Sequence, residues 1–284
     1  MNYNHAFHAG NFADVHKHVI LTLIVGYLKR KDTAFRVLDT HAGSGAYDLR
    51  SDAALRTGEW VDGVARLVKS APPQALLPYL KPYISSIEAL NAPDRLDFYP
   101  GSPAVARHLL RRQDRMTLVE LHPQTAEVLK ARYAEDQQVK VMELDAWLAL
   151  GAQLPPKEKR GLVLVDPPFE VAGEFERIVE GLRKAVRRWP GGIYALWYPI
   201  KDRRAVAVFR AALASSSIPK ILDLWIEVEG AEKPGLQGSG MVVVNPPYVL
   251  EAEMGALSPF LSTILGRSAK IWGVDWLTAE AASA

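Results

Sequence analysis

Two stretches of the chain place an acidic or amide side chain directly before two prolines and an aromatic ring: Asp166-Pro167-Pro168-Phe169 and Asn245-Pro246-Pro247-Tyr248. Each follows an apolar run of β-forming residues. Consecutive prolines fix φ and carry no N–H, so such a loop presents carbonyls instead of donors. The Asp166 carboxylate and the Pro167 carbonyl can together accept both N–H bonds of an exocyclic amine. That leaves the nitrogen lone pair free to meet an alkyl donor. Phe169 offers a face on which a base taken out of its stack can lie. The plain alternative is a strand-ending Pro-Pro turn.

A second constellation precedes the first. Leu38-Asp39-Thr40-His41-Ala42-Gly43-Ser44-Gly45 runs from a strand into a small-residue loop. Glycines there let backbone approach a ligand and adopt positive φ, at the strand end where open α/β sheets bind cofactors. It is not the full dinucleotide fingerprint, and a ligand-free tight turn has the same composition. Glu120 closes a further strand, where a carboxylate suits ribose hydroxyls, and Asp145 closes another, where it suits an adenine amino group. Either acid alone also reads as a helix cap or a surface charge. Four of the seven histidines, His5, His8, His16 and His18, lie within the first 18 residues. They lack a tight carboxylate or cysteine partner pattern, so no metal site is expected. Residues 1–18 are expected to form a polar flap across the cofactor mouth, with Lys17 placed to meet a phosphate or carboxylate.

These residues need a frame. Strands are predicted at 35–40, 116–121, 140–144, 161–166, 192–197, 221–228 and 241–245, several nearly continuous in apolar residues, as strands covered on both faces are. Between them, Phe175, Ile178, Val179, Leu182 and Val186 recur at helical spacing, and Pro123 opens another helix. Alternation implies a mostly parallel sheet. The loop 230–240 is too short for a crossover helix, so the last two strands form an antiparallel hairpin. The expected fold is therefore α/β, a mostly parallel seven-stranded sheet with an antiparallel last strand. Residues 55–94, punctuated by prolines, read as a small helical insert within one domain spanning 1–284. Asp166 then follows the fourth parallel strand, the expected catalytic position, whereas Asn245 ends a hairpin strand at the sheet edge and reads as a turn.

Composition sets outer bounds. The chain has 284 residues and no cysteine, which removes disulfides, zinc-thiolate sites and thiol catalysis. A net charge of +2 neither demands nor opposes a nucleic-acid partner. Basic clusters at Arg107, Arg111 and Arg112, at Arg183, Lys184, Arg187 and Arg188, and at Lys201, Arg203 and Arg204 are each a solvated face or, together, a phosphate-tracking surface. No run approaches the roughly 20 apolar residues of a membrane helix. The first residues lack a signal-peptide core, and a cytoplasmic protein is expected.

The Asp166 loop matches the Asp/Asn/Ser-Pro-Pro-aromatic motif of amino-group methyltransferases, and the sheet plan is that of class I S-adenosyl-L-methionine-dependent enzymes. More specifically, His5-Ala6-Phe7-His8-Ala9-Gly10-Asn11, Leu38-Asp39-Thr40-His41-Ala42-Gly43, Tyr99-Pro100-Gly101-Ser102-Pro103, Glu120-Leu121-His122-Pro123 and Ala195-Leu196-Trp197-Tyr198-Pro199 resemble the bacterial RlmJ family over residues 1–250. That resemblance implies a 23S ribosomal RNA adenine-N6 methyltransferase, a monomer without metal or membrane association. It implies a cofactor site of His18, His41, Gly43, Ser102, Glu120, Asp145 and Ala146, with Asp166 catalytic. Tyr3, His5 and Lys17 would face RNA, beside Pro167 and Phe169. Phe169 departs from the family's usual tyrosine, and Ala146 stands where glycine is frequent; stacking and backbone contact survive both changes. The rival readings are a DNA adenine-N6 or cytosine-N4 methyltransferase and a catalytically silent RNA-binding protein.

Overall fold

The computed structural model describes residues 4–229, 235–267, 269 and 271–279. In chain order the elements are α1 (Phe12–Leu28), β1 (Arg36–Asp39), β2 (Ala46–Asp48), α2 (Asp52–Thr57), α3 (Val64–Lys69), α4 (Leu77–Glu88), β3 (Phe98–Pro100), α5 (Ser102–Leu109), β4 (Arg115–Glu120) and α6 (Pro123–Arg132). The second half adds β5 (Val139–Glu143), α7 (Ala146–Ala152), β6 (Gly161–Val165), α8 (Glu174–Arg188), β7 (Ile193–Ile200), α9 (Arg203–Ala214), β8 (Ile221–Glu227), β9 (Gly238–Val244), α10 (Leu250–Leu265) and β10 (Ile271–Thr278).

Among the described residues the main sheet has eight strands in the order β10-β8-β9-β7-β6-β1-β4-β5. The seven strands read from the sequence are all present. The eighth, β10, was not expected; it pairs antiparallel with β8 and covers the edge. Strands β5 through β7 run parallel. β9 is antiparallel to both β7 and β8 and lies between them. Asn245 therefore ends an interior strand, which corrects the expected edge position. A hairpin's second strand can return on either side of the first, and only the packing of the whole sheet selects one.

Helices cover both faces. One core gathers α1, α4, α5 and α10 against one face, and a second gathers α7, α8 and α9 against the other. β6 is buried at all five positions, as a central parallel strand must be. In α8, Ile178, Val179 and Leu182 are buried and Phe175 and Val186 pack at the margin, along the predicted stripe.

The N-terminal segment is different from its expectation. Asn11 caps α1 by accepting the Asp14 amide at 3.0 Å, and fifteen residues of the helix are buried. Apart from a short polar stretch, α1 is apolar nearly all round, and such a helix belongs inside a protein. Residues 12–18 are thus core helix, and among the described residues the one helical element before it is the 3₁₀ turn His5–Phe7. Tyr3 lies outside the described residues. Helices α2, α3 and α4 occupy the span read as an insert, and the β2–β3 ribbon ties its two ends together.

Candidate active site

The sheet order reverses between β1 and β6, because the chain moves outward from β1 to β4 and β5 before returning to β6. Open α/β sheets bind ligands at such a switch point, outside the carboxyl ends of the strands. A cleft of about 850 Å³ opens there, and its lining includes both the Gly43–Ser44 loop and residues 166–169.

The β1 loop is tied down from below. Ser102 Oγ donates to Asp39 Oδ2 at 2.6 Å, and the His41 amide donates to Oδ1 at 3.2 Å. Burial pushes the Asp39 carboxyl up to about 6 in spite of these donors. Glu120 takes the Gly43 amide at 2.9 Å on one oxygen and the His122 amide at 2.8 Å on the other. One carboxylate thereby holds the ends of β1 and β4 together. Gly43 sits at φ +60°, and a Cβ there would run into the Tyr47 hydroxyl. Asp145 caps α7, with Oδ1 accepting the Trp147 and Leu148 amides; Oδ2 is left for another donor. Ala146, next to it, is buried and lines the cleft.

Opposite stands the Asp-Pro-Pro loop. The Asp166 amide donates to His41 Nδ1 at 3.3 Å, bridging the switch point. Burial drives His41 down to about 4, so its ring is neutral at physiological pH. The Asp166 carboxylate pairs with the Lys17 ammonium, which also meets Asp14 at 2.8 Å. Burial alone would lower the Lys17 pKa, but the two carboxylates hold it well above the ordinary range. Burial would likewise raise Asp14, yet His5 and Lys17 hold it well below. Asp14 also accepts His5 Nε2 at 3.0 Å and the Gly10 amide at 2.9 Å. Phe169, at φ +51°, meets Phe175 and Trp197 edge-on at 5.0 and 5.8 Å. Pro167 is buried at the cleft wall.

Every predicted site residue within the described chain lines this one cleft. Lys17 does so differently from its expectation: only 4% exposed, it is matched by two carboxylates and is part of the cleft wall. The four N-terminal histidines take four separate sets of partners: His5 with Asp14, His8 with Glu59, His16 with Ser239, and His18 with Tyr99. Sequence reasoning missed Asp14, Glu59, Trp147 and Trp197, all in the cleft. Asp14 stands three residues before Lys17, a helical spacing that becomes a signal once residues 12–28 are read as helix.

The groups present suit an adenosine-bearing cofactor. Asp145 keeps a free oxygen, Glu120 closes β4 beside the glycine loop, and His18 Nε2 is buried without a protein partner where His18 lines the cleft. A mostly parallel sheet with one reversed interior strand, carrying this loop and Asp-Pro-Pro-Phe at its switch point, defines a class I methyltransferase.

Comparison with known proteins gives the particular family. Residues 32–278 match the family described as ribosomal RNA large subunit methyltransferase D, RlmJ. The chain is 40% identical over 282 residues to ribosomal RNA large subunit methyltransferase J of Escherichia coli (strain K12), covering 99% of this chain and 100% of that protein. The Haemophilus influenzae protein of the same name is 39% identical, at 99% and 100% coverage. A crystal structure of a Legionella pneumophila protein, 32% identical, superposes with a TM-score of 0.87 over 95% of this chain and 98% of that one. The chain belongs to the RlmJ family of methyltransferases.

Proposed function

We propose that this protein transfers a methyl group from S-adenosyl-L-methionine to N6 of an adenine in 23S ribosomal RNA, acting as a cytoplasmic monomer. The observation that carries the reading is the placement of Asp166-Pro167-Pro168-Phe169 in the same cleft as the glycine loop, with Asp166 bonded through its amide to His41.

In this reading Glu120, Asp145, Ala146, Gly43, Ser102, His41 and His18 hold the cofactor, which when bound supplies an electrophilic methyl group. Asp166 and the Pro167 carbonyl accept the two amino hydrogens of the target adenine, and Phe169 lies against its ring. The nucleophile is the substrate's own nitrogen, so no covalent enzyme intermediate is required and the chain's contribution is orientation. Lys17 is a positioning residue: between two carboxylates, it confines the Asp166 side chain to one rotamer. His5, less buried and bonded to Asp14, stands nearer the RNA. Mass spectrometry of ribosomal RNA nucleosides tests the whole. A deletion strain should lack one N6-methyladenosine in 23S RNA, and the purified protein should restore it. Restored methylation of DNA alone would overturn the substrate.

A further inference from the structure

His18 is buried, stacked on Tyr99 at 5.7 Å between ring centroids, and edge-on to Tyr83 at 6.0 Å. Its Nδ1 lies 2.7 Å from the Tyr99 hydroxyl, which lies 2.8 Å from the Tyr83 hydroxyl. Both tyrosines are fully buried. Tyr83 belongs to α4, in the helical insert, and Tyr99 to β3 of the ribbon that closes it.

The direction of this chain follows from counting protons. Each hydroxyl has one hydrogen to donate, and a neutral imidazole has one N–H and one bare nitrogen. If Tyr83 donates to Tyr99 and Tyr99 donates to His18 Nδ1, both hydroxyl hydrogens are used. The imidazole hydrogen then sits on Nε2, which of these three side chains is the one group without a protein partner. If the chain runs the other way, the Tyr83 hydrogen and the Nε2 lone pair are both left unmet inside the protein. A buried polar group without a partner is unfavourable, and this direction leaves two where the first leaves only Nε2–H, so the first direction wins.

The geometry points to Tyr99, backed by Tyr83 of the insert, as a positioning residue that fixes His18 as an Nε2–H donor toward an acceptor atom of the cofactor. Burial agrees: it lowers the His18 pKa to about 3, so the ring is neutral with one N–H to assign. The insert thereby reaches the cofactor site through two hydroxyls, without contacting the cofactor itself. The inference rests on the cofactor reading above for the identity of the acceptor, but not for the tautomer.

Nitrogen-15 spectra of the ligand-free protein, assigned with a His18→Gln variant, read the tautomer directly. Protonated Nε2 and bare Nδ1 are expected; the reverse overturns the proposal. Calorimetric binding of S-adenosylhomocysteine then tests the consequence. Tyr99→Phe should weaken it about tenfold and mix the tautomers, with the KM for RNA unchanged. Wild-type affinity in folded Tyr99→Phe overturns the proposal. Should that variant not fold, Tyr83→Phe takes its place, with about threefold weaker binding expected and unchanged binding decisive against. If the wild-type protein ignores S-adenosylhomocysteine, the cofactor reading fails and with it the proposed acceptor, while the nitrogen spectra still decide the direction of the relay.

Discussion

Asp166-Pro167-Pro168-Phe169 and Asn245-Pro246-Pro247-Tyr248 both follow a buried strand, and both contain a residue at φ +51°, Phe169 in one and Asn245 in the other. Their surroundings differ. Asp166 follows a parallel strand beside the switch point, where its carboxylate meets Lys17 and its amide meets His41. Asn245 follows the reversed strand β9, and its side-chain amide is used up by the carbonyls of Pro190 and Gly192, both at 2.8 Å. Phe169 is held by two aromatic rings, whereas Tyr248 is 80% exposed and meets the Tyr27 ring edge-on. The same four-residue chemistry is thus a candidate site in one place and a turn in the other. What separates them is strand direction, which decides at which end of the sheet the loop emerges.

The largest expected effect tests that contrast directly. Asp166→Ala should lower methyl transfer by about a thousandfold, the usual scale for losing a group that acts at the reacting atom. Its affinity for S-adenosylhomocysteine should stay within about tenfold. Asn245→Ala should keep most of the activity and lose about 1–3 kcal/mol of stability, since two carbonyls lose their donor. A folded but inactive Asn245→Ala beside an active Asp166→Ala would reverse the assignment.

Next in size is Lys17→Met. It leaves Asp14 and Asp166 facing each other without the shared cation, and breaking a buried pair in this way costs about 3–5 kcal/mol. Denaturant midpoints and single-turnover rates on the same sample should both fall. A variant as stable and as active as wild type would show that the cleft-side loop does not depend on its cation. The contribution of Asp14 has a definite sign. Its folded pKa is depressed, so the stability it gives is present above its unfolded value of 3.8 and is lost as pH falls through the lower folded value.

Acid should also weaken the fold through the two buried histidines of α1. Burial depresses His16 and His18 to about 3 from 6.5. Their neutral forms stabilise the fold fully above pH 6.5, and that contribution is lost as pH falls. Between pH 6.5 and 5 each should cost about 2 kcal/mol. Asp39, raised to about 6, works in the opposite direction over part of this range, because the folded state holds its proton more tightly. Urea unfolding at pH 7.5 and 5.0 should show a net loss that shrinks in His16→Gln. An unchanged slope in that variant would contradict the burial account.

The smallest effects concern the aromatic residues that end the two motifs. Phe169→Ala should lose about 1–3 kcal/mol of transition-state stabilisation, the scale of one stacked base, and Phe169→Tyr should change little. Tyr248→Ala should lie within about 0.5 kcal/mol of wild type in stability, with activity unaltered. Steady-state kinetics on the three proteins would reveal an error if Tyr248 mattered more than Phe169.

Much of this molecule could be read from local pattern. Apolar runs placed seven strands, helical spacing placed α8, and Pro123 marked the start of α6, because side-chain periodicity is a property of neighbouring residues. Asp39, Glu120, Asp145 and Asp166 were legible for the same reason: Asp39 and Glu120 end their strands, and Asp166 and Asp145 follow theirs by one and two residues. Tertiary structure decided the rest. Helix α1 was not read from the sequence, and its burial set Lys17, expected to meet a phosphate or carboxylate at a polar flap, between two carboxylates of the cleft wall. The position of β9 between β7 and β8, the edge pairing of β10, and the line from Tyr83 through Tyr99 to His18 join residues far apart in the chain. Such contacts depend on how whole faces pack and on which buried polar groups find partners, and no window of sequence contains either.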